Sequence, residues 1–444
     1  MKLKRALDVA RRGRAQARRR LATLEHAWRR FVPERMLQLL NASNIAEVKL
    51  GDRCERKLSI AFCDIRDFTT ISEGLTPSEN FEFLNAFLGQ VEPAIVDHGG
   101  VVDKYIGDAI MALYPTDPDA AVQGSLAMFE RLESFNAPRV AAGLAPVRIA
   151  VGINTGFVML GAVGASDRIE ATVISDSVNL ASRLQTATKL YGASLIIGEH
   201  TLNGLVDPSA YAIRFLDRIR VKGKVHPQSI YEVLDVDSKP RREAKLATRA
   251  IFERGLALYH LREVAAAVPL LEACCRLAPF DTAAHLYLGR CQAFLSTGEH
   301  TGTGEAGAVL EWRKEYDVGV DIIDEQHREL LRQMNALSHK VRHGDTHGTR
   351  AILGFLGEYA VEHFRTEETL MAQTGYPLAQ EHIQEHVRFV ERFTELAREV
   401  EAGTHEPLSL LFRVQLGMID WVITHTTGTD QHLGNFLRER GVHR

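Results

Sequence analysis

The chain has 444 residues, 45% of them hydrophobic and 25% charged, with a net charge of −4 and only five cysteines. That length allows two or three domains, and the composition is that of an ordinary soluble protein rather than a disulfide-built scaffold. No apolar run approaches the ~20 residues that span a bilayer, and the basic start is not followed by the apolar stretch of a secretory signal. A reducing cytoplasm is therefore the expected compartment.

Residues 1–48 read as a basic helical segment, with the run "ARRGRAQARRR" followed by an apolar face at Met36, Leu39 and Leu40. Such a run attracts anionic lipid or nucleic acid in principle. The preferred reading is a solvated helix that pairs with its copy in a dimer, with no nucleic-acid partner. Residues 51–236 mix strands ("KLSIAFCDI", "VRIAVGINTG", "SLIIGEH") with helices ("PSENFEFLNAFLGQVEPAIVDHGG", "SDSVNLASRLQTATKL"), the pattern of an α/β or α+β domain. A polar joint, "SKPRREAK", leads into a helical segment at 241–300. Gly255 and Gly289 there are 34 positions apart, and Ala267, Leu271, Cys274 and Pro279 fall at spacings that resemble a tetratricopeptide repeat. A Gly/Thr-rich linker follows. Residues 309–436 then carry amphipathic patterns at 321–343, 348–374, 379–402 and 408–426, predicting an antiparallel four-helix bundle.

Each of those four patterns places histidine on its apolar stripe: His327, then His363 with Glu367, then His382 and His386, then His425, with Asp430 just beyond the fourth helix. In an up-down-up-down bundle all of these positions lie at one end. Burying two carboxylates and five imidazoles without partners costs several kcal/mol per charged group, and bound metal removes that penalty. Seven ligands exceed one tetrahedral ion and suit two iron-like ions of higher coordination. The stretches "DVGVDIIDEQH", "HFRTEETLM", "GYPLAQEHIQEH" and "WVITHTTGTD" resemble the hemerythrin family over about 130 residues. The resemblance implies that His382, His386 and His425 hold one iron and His327 and His363 the other. Glu367, Asp430 and an oxo or hydroxo group would bridge them, and the second iron would keep an open position for O2.

In the first domain, "LSIAFCDIRDFTTISE" puts Asp64 at a strand end and "DKYIGDAIMALY" puts Asp108 beside a glycine between two strand-like runs. With "ATVISDSVNLASRLQ" and "RVKGK", these stretches resemble the class III nucleotidyl cyclases over about 185 residues. That family has a ferredoxin-like core and works as a dimer with sites between the subunits. The resemblance implies that Asp64, Asp108 and the backbone of Ile65 hold two Mg2+ (or Mn2+). The backbone through Phe68 and Thr69 would cradle phosphates. Asn179 would hold the ribose, Arg183 the charge on the α-phosphate and Lys222 the terminal phosphates. Lys104 stands where the family reads the base. A lysine can only donate, which suits the N1 acceptor of adenine and opposes the N1–H of guanine, and Thr172 can accept from the 6-amino group. Glycine is frequent in the family where this chain has Asp67 and Ser175.

One chain holds both sides of such a site, so a homodimer would form two. The sequence thus points to a homodimeric adenylate cyclase making cyclic AMP from ATP, joined to an O2-binding di-iron bundle that regulates it. A guanylate cyclase, and an O2- or iron-binding protein with a cyclase-like scaffold, are the alternatives.

Overall fold

The computed structural model describes residues 34–165, 168–219, 227–298, 311–343, 345–402, 414 and 418–442. The basic run before Pro33, the Gly/Thr-rich linker, Lys222 and most of the first half of the segment predicted as the fourth bundle helix lie outside them. No helix among the described residues is long and apolar enough to cross a membrane.

The chain opens with a short helix, α1 (Glu34–Leu39), and then strand β1 (Arg53–Ile65). Helices α2 (Phe68–Glu73) and α3 (Pro77–Asp97) follow. The second of these starts because Thr76 and Glu79 cap one another: the Glu79 N–H donates to the threonine hydroxyl, and the Glu79 carboxylate accepts from the Thr76 N–H at 2.8 Å. Strands β2 (Val101–Ile106) and β3 (Ala109–Tyr114) form a hairpin whose turn needs a positive φ at Gly107. Next come α4 (Pro118–Ala141), β4 (Ile149–Ala165), β5 (Arg168–Ile174) and α5 (Asp176–Tyr191). The domain closes with β6 (Leu195–Gly198), α6 (Glu199–Gly204), β7 (Ile213–Ile219) and β8 (Gln228–Val233). The stretch "SLIIGEH" is thus strand only to Gly198, and Glu199 begins a helix.

The strands make one sheet in the order β2-β3-β1-β4-β6-β8-β7, with β5 on the outer half of β4. Alternation along β1 divides its neighbours. Ala61, Cys63 and Ile65 join the core under α3 and α4, while Leu58 and Ile60 face Met36 and Leu39 of α1. Helix α5 lies against β4 so closely that a Cβ at Gly152 would stand 2.1 Å from the Gln185 nitrogen.

Three helices follow: α7 (Lys239–His260), α8 (Val264–Leu277) and α9 (Thr282–Thr297). Gly255 lets Leu271 approach, whereas Gly289 faces open space. Phe252, Leu256, Leu271 and Tyr287 belong to the same core as Phe215 and Val233 of the sheet. Arg214 of β7 is buried between Glu232 and Asp281, and Lys245 also pairs with Glu232 at 2.7 Å. The helical segment is therefore welded to the sheet rather than strung between domains.

The bundle consists of α10 (Asp321–Arg342), α11 (Thr346–Thr374), α12 (Ala379–Ala402) and a last helix. Leu330, Met334, Leu356, Ala360, Phe389 and Trp421 fill its centre. The sequence ends that last helix at 426 with Asp430 beyond it, and the structure corrects this. Helix α13 (Asp420–His425) runs through a π-helical turn (Thr426–Asp430) straight into α14 (Gln431–Glu439). In a regular α-helix two residues five apart point roughly 140° away from each other. The wider π turn brings His425 and Asp430 back to one face.

Candidate metal centres and catalytic cleft

The bundle brings its sequence-nominated residues together at one end, all buried: His327, His363, Glu367, His382, His386, His425 and Asp430. Their ligand atoms fall into two groups that share Glu367, one with His382, His386 and His425, the other with His327, His363 and Asp430. All five imidazoles turn Nε2 inward. His425 Nε2 lies 3.1 Å from His382 Nε2 and 3.2 Å from His386 Nε2. The carboxylates stand among them: His386 Nε2 is 3.1 Å from Glu367 Oε2, His327 Nε2 is 3.1 Å from Asp430 Oδ2, and His425 Nε2 is 3.0 Å from Asp430 Oδ1.

Neither carboxylate makes a hydrogen bond of proper geometry among the described residues, and neither does His327. Buried polar atoms are almost always satisfied, so this many facing orphans fit a cation site. Burial draws His363 down to about 4, against the pull of Glu367, so its imidazole is the neutral form that a metal takes. Burial and Asp430 push Glu367 up, but His363, His382 and His386 outweigh them and hold it ionised below the usual carboxylate range. Neutral nitrogens with anionic oxygens at octahedral numbers fit iron.

Sequence reading missed the outer partners. His363 Nδ1 donates to Gln326 Oε1 at 3.0 Å, His386 Nδ1 to Glu368 Oε1 at 3.2 Å and His425 Nδ1 to Glu385 Oε2 at 2.8 Å. Each partner is the chain neighbour of a ligand on one helix and orients the histidine of the next helix. These bonds fix the tautomer that presents Nε2 to a metal. A polar residue beside each ligand, in "QH", "EE" and "EH", was the available signal. A small apolar pocket of about 10 Å³, room for one small molecule, opens on His327 and His363 and is lined by Leu330, Met334, Phe364 and Trp421.

In the sheet domain, Asp64 at the end of β1 lies within hydrogen-bond reach of Asp108 in the β2–β3 turn. Burial first, then Asp108, pushes Asp64 up to about 7, while Gln185 Nε2, at 3.3 Å, draws it back. Two carboxyl groups set side by side repel unless a proton or a cation sits between them, so the pair fits a divalent metal. Asp64 edges a cleft of about 680 Å³ that also takes in Ile65, Asp67, Gln185 and Lys189. Phe68 and Thr69 start α2. Before them Asp67 adopts φ +56°, the left-handed backbone that glycine reaches freely and aspartate tolerates. Ser175 caps α5, its hydroxyl accepting from the Ser177 N–H at 2.9 Å. Ser175 thus has a local role, and Asp67 keeps the backbone that glycine would supply. Asn179 and Arg183 are exposed on α5, one turn apart. Lys104 of β2 donates to Thr172 Oγ1 of β5 at 3.3 Å and lies 3.7 Å from Glu170.

Residues 53–234 match the family model of the adenylate and guanylate cyclase catalytic domain, and residues 318–437 match that of the hemerythrin HHE cation binding domain. The chain joins a class III nucleotidyl cyclase domain to a hemerythrin domain. An adenylate cyclase of Anabaena cylindrica is 39% identical to it over 213 residues, 47% of this chain and 42% of that protein. Bacteriohemerythrin of Stenotrophomonas maltophilia is 31% identical over 140 residues, 30% of this chain and 89% of that protein. Among solved structures, the adenylyl cyclase CyaB of P. aeruginosa is 32% identical, covering 42% of this chain and 97% of that one, with a TM-score of 0.38. The chain spans less than half the length of the cyclase relative from Anabaena. The hemerythrin domain implies iron, and the cyclase domain a divalent metal.

The two domains touch directly. Asp420 of α13 pairs with Arg218 of β7 at 2.7 Å and accepts from Ser229 of β8 at 3.2 Å. His432 of α14 stacks on Phe157 of β4 at 4.4 Å and reaches Glu55 of β1 at 2.7 Å. Burial and Arg388 draw Lys57 of β1 down to about 8, with Glu381 opposing, which leaves it mostly charged at neutral pH.

Proposed function

We propose that the chain is a homodimeric adenylate cyclase whose output follows the O2 or redox state of a di-iron centre in its hemerythrin domain. The observation that carries the catalytic reading is the Asp64–Asp108 pair, two carboxyl groups forced together, with Asp64 at the edge of a cleft large enough for a nucleotide.

In this reading Asp64, Asp108 and the Ile65 carbonyl would hold two Mg2+ or Mn2+ ions, which would supply acidification of the ribose 3′-hydroxyl and neutralisation of the triphosphate. The chain's own groups do the rest. Lys104 donates to adenine N1 while Thr172, already fixed by that lysine, accepts from the 6-amino group. The backbone from Ile65 to Thr69 cradles phosphate oxygens. Asn179 orients the ribose, Arg183 meets charge growing on the α-phosphate and Lys222 holds the terminal phosphates. The contact that α5 makes to Asp64 within one chain is through Gln185, whereas Asn179 and Arg183 point to solvent, which favours their service to a partner's carboxylates. Exposed Tyr105 and Ile106 on β2, and Val163, Ile169 and Ile174 on the β4–β5 hairpin, supply apolar surface beside Lys104 and Thr172 for that partner.

In the hemerythrin domain His382, His386 and His425 would hold one iron and His327 and His363 the other, with Glu367, Asp430 and an oxo or hydroxo group between. The apolar pocket against His327 and His363 suits O2, a small uncharged ligand. Cyclic nucleotide formation from ATP and from GTP, with Mn2+ and with Asp64→Ala as control, tests the catalytic half. Preference for ATP and a silent variant support it, and equal use of GTP or an active variant refutes it. Iron quantification with the visible spectrum under O2 tests the other half.

A further inference from the structure

The geometry points to Glu385 as a positioning residue that serves both domains: it orients the iron ligand His425 while Lys57 of the cyclase strand β1 holds its other oxygen. This rests on the iron-regulated reading above and says where the coupling runs.

Glu385 Oε2 accepts from His425 Nδ1 at 2.8 Å and from Thr429 Oγ1 at 2.9 Å, and Oε1 pairs with Lys57 Nζ. Among the described residues, Gln326 and Glu368, which hold His363 and His386, pair with no residue of the cyclase domain, so Glu385 alone of the three reaches across. The segment bearing His425 and Asp430 is clamped to the sheet on both flanks, by Asp420 on Arg218 and Ser229 and by His432 on Glu55 and Phe157. Lys57 lies on β1, which carries Asp64 beside its last residue, and that strand is paired along its whole length with β4. A shift of Lys57 therefore moves a stiff element whose far end carries a catalytic carboxylate. The coupling has a direction. With ferric rather than ferrous iron at Nε2, the His425 Nδ1–H would donate more strongly and would draw the Glu385 carboxylate away from Lys57. By reciprocity, a change at Lys57 must be felt at the iron.

The test uses the full-length, iron-loaded protein and two readouts. The first is the reduction midpoint and visible spectrum of the iron centre in wild type, Lys57→Met and Lys57→Arg. Without the lysine charge Glu385 pulls harder on the His425 N–H, the imidazole becomes a better donor to ferric iron, and the midpoint falls, with Arg restoring it. The second is the ratio of cyclic AMP rates between reduced and oxidised protein, which collapses to 1 in Lys57→Met and in Glu385→Gln. Glu385→Gln also surrenders its iron to a chelator ~10-fold faster. A Lys57→Met protein with the wild-type midpoint and the wild-type rate ratio overturns this proposal and leaves iron regulation standing. A wild-type ratio of 1 overturns iron regulation and this proposal with it.

Discussion

Asp64 is caught between burial and the neighbouring Asp108, and both oppose its ionisation. A carboxyl whose pKa rises on folding binds its proton more tightly in the folded state, so folding is favoured at low pH. The contribution is lost as pH climbs from 3.8 towards about 7. Metal-free wild type should therefore lose melting temperature over that window, and Asp64→Asn should flatten the loss. Saturating Mg2+ should raise the wild-type melting temperature above pH 7 but not the variant's. Thermal melts at pH 4 and 8 check this. Lys104→Met should cost roughly 10–100-fold in kcat/KM for ATP, the worth of one charge-assisted hydrogen bond, and narrow the gap to GTP. Competition assays with the two nucleotides read it. Legibility in the sequence ended at this scale with residues that act on a distant neighbour. His327 and Glu367 announce themselves because a polar group on an apolar stripe needs a reason. Glu385 sits off that stripe, and its partner His425 is 40 positions away.

At the scale of elements, the four helical patterns and the strands around Asp64 were legible because burial writes its period into the sequence. The π turn was not, since Thr426–Asp430 carries no apolar spacing that separates one widened turn from a helix end. Its consequence, Asp430 on the face of His425, comes from backbone geometry alone. Gly152 shows the opposite case, a small residue whose reason appears only in three dimensions. Gly152→Val would push α5 away from β4, carrying Asn179 and Arg183 with it. Overpacking of this kind costs about 1–3 kcal/mol, so the variant should melt several degrees lower and lose cyclase rate more than stability. Calorimetry alongside the cyclase assay separates the two effects.

At the scale of the whole molecule, the sequence divides into segments where the structure joins them. Helices α7–α9 share a core with the sheet, and the Arg214–Asp281 pair locks them to β7. The hemerythrin domain is fastened by Arg218 and Asp420, partners 202 positions apart that no local pattern connects. Asp420→Ala removes the carboxylate from a buried arginine, a loss of about 3–5 kcal/mol. Calorimetry should then resolve the hemerythrin transition from the cyclase transition, whereas wild type should melt them together. Such fastening is what allows the state of one domain to bias the other, since a ligand shifts an equilibrium only through its different affinity for the two states. The most direct measurement is the initial rate of cyclic AMP formation by one iron-quantified preparation, deoxygenated and then under O2, beside the same protein stripped of iron. The account predicts rates that differ with O2 in the loaded protein and coincide in the stripped one. Equal rates in the loaded protein would contradict it.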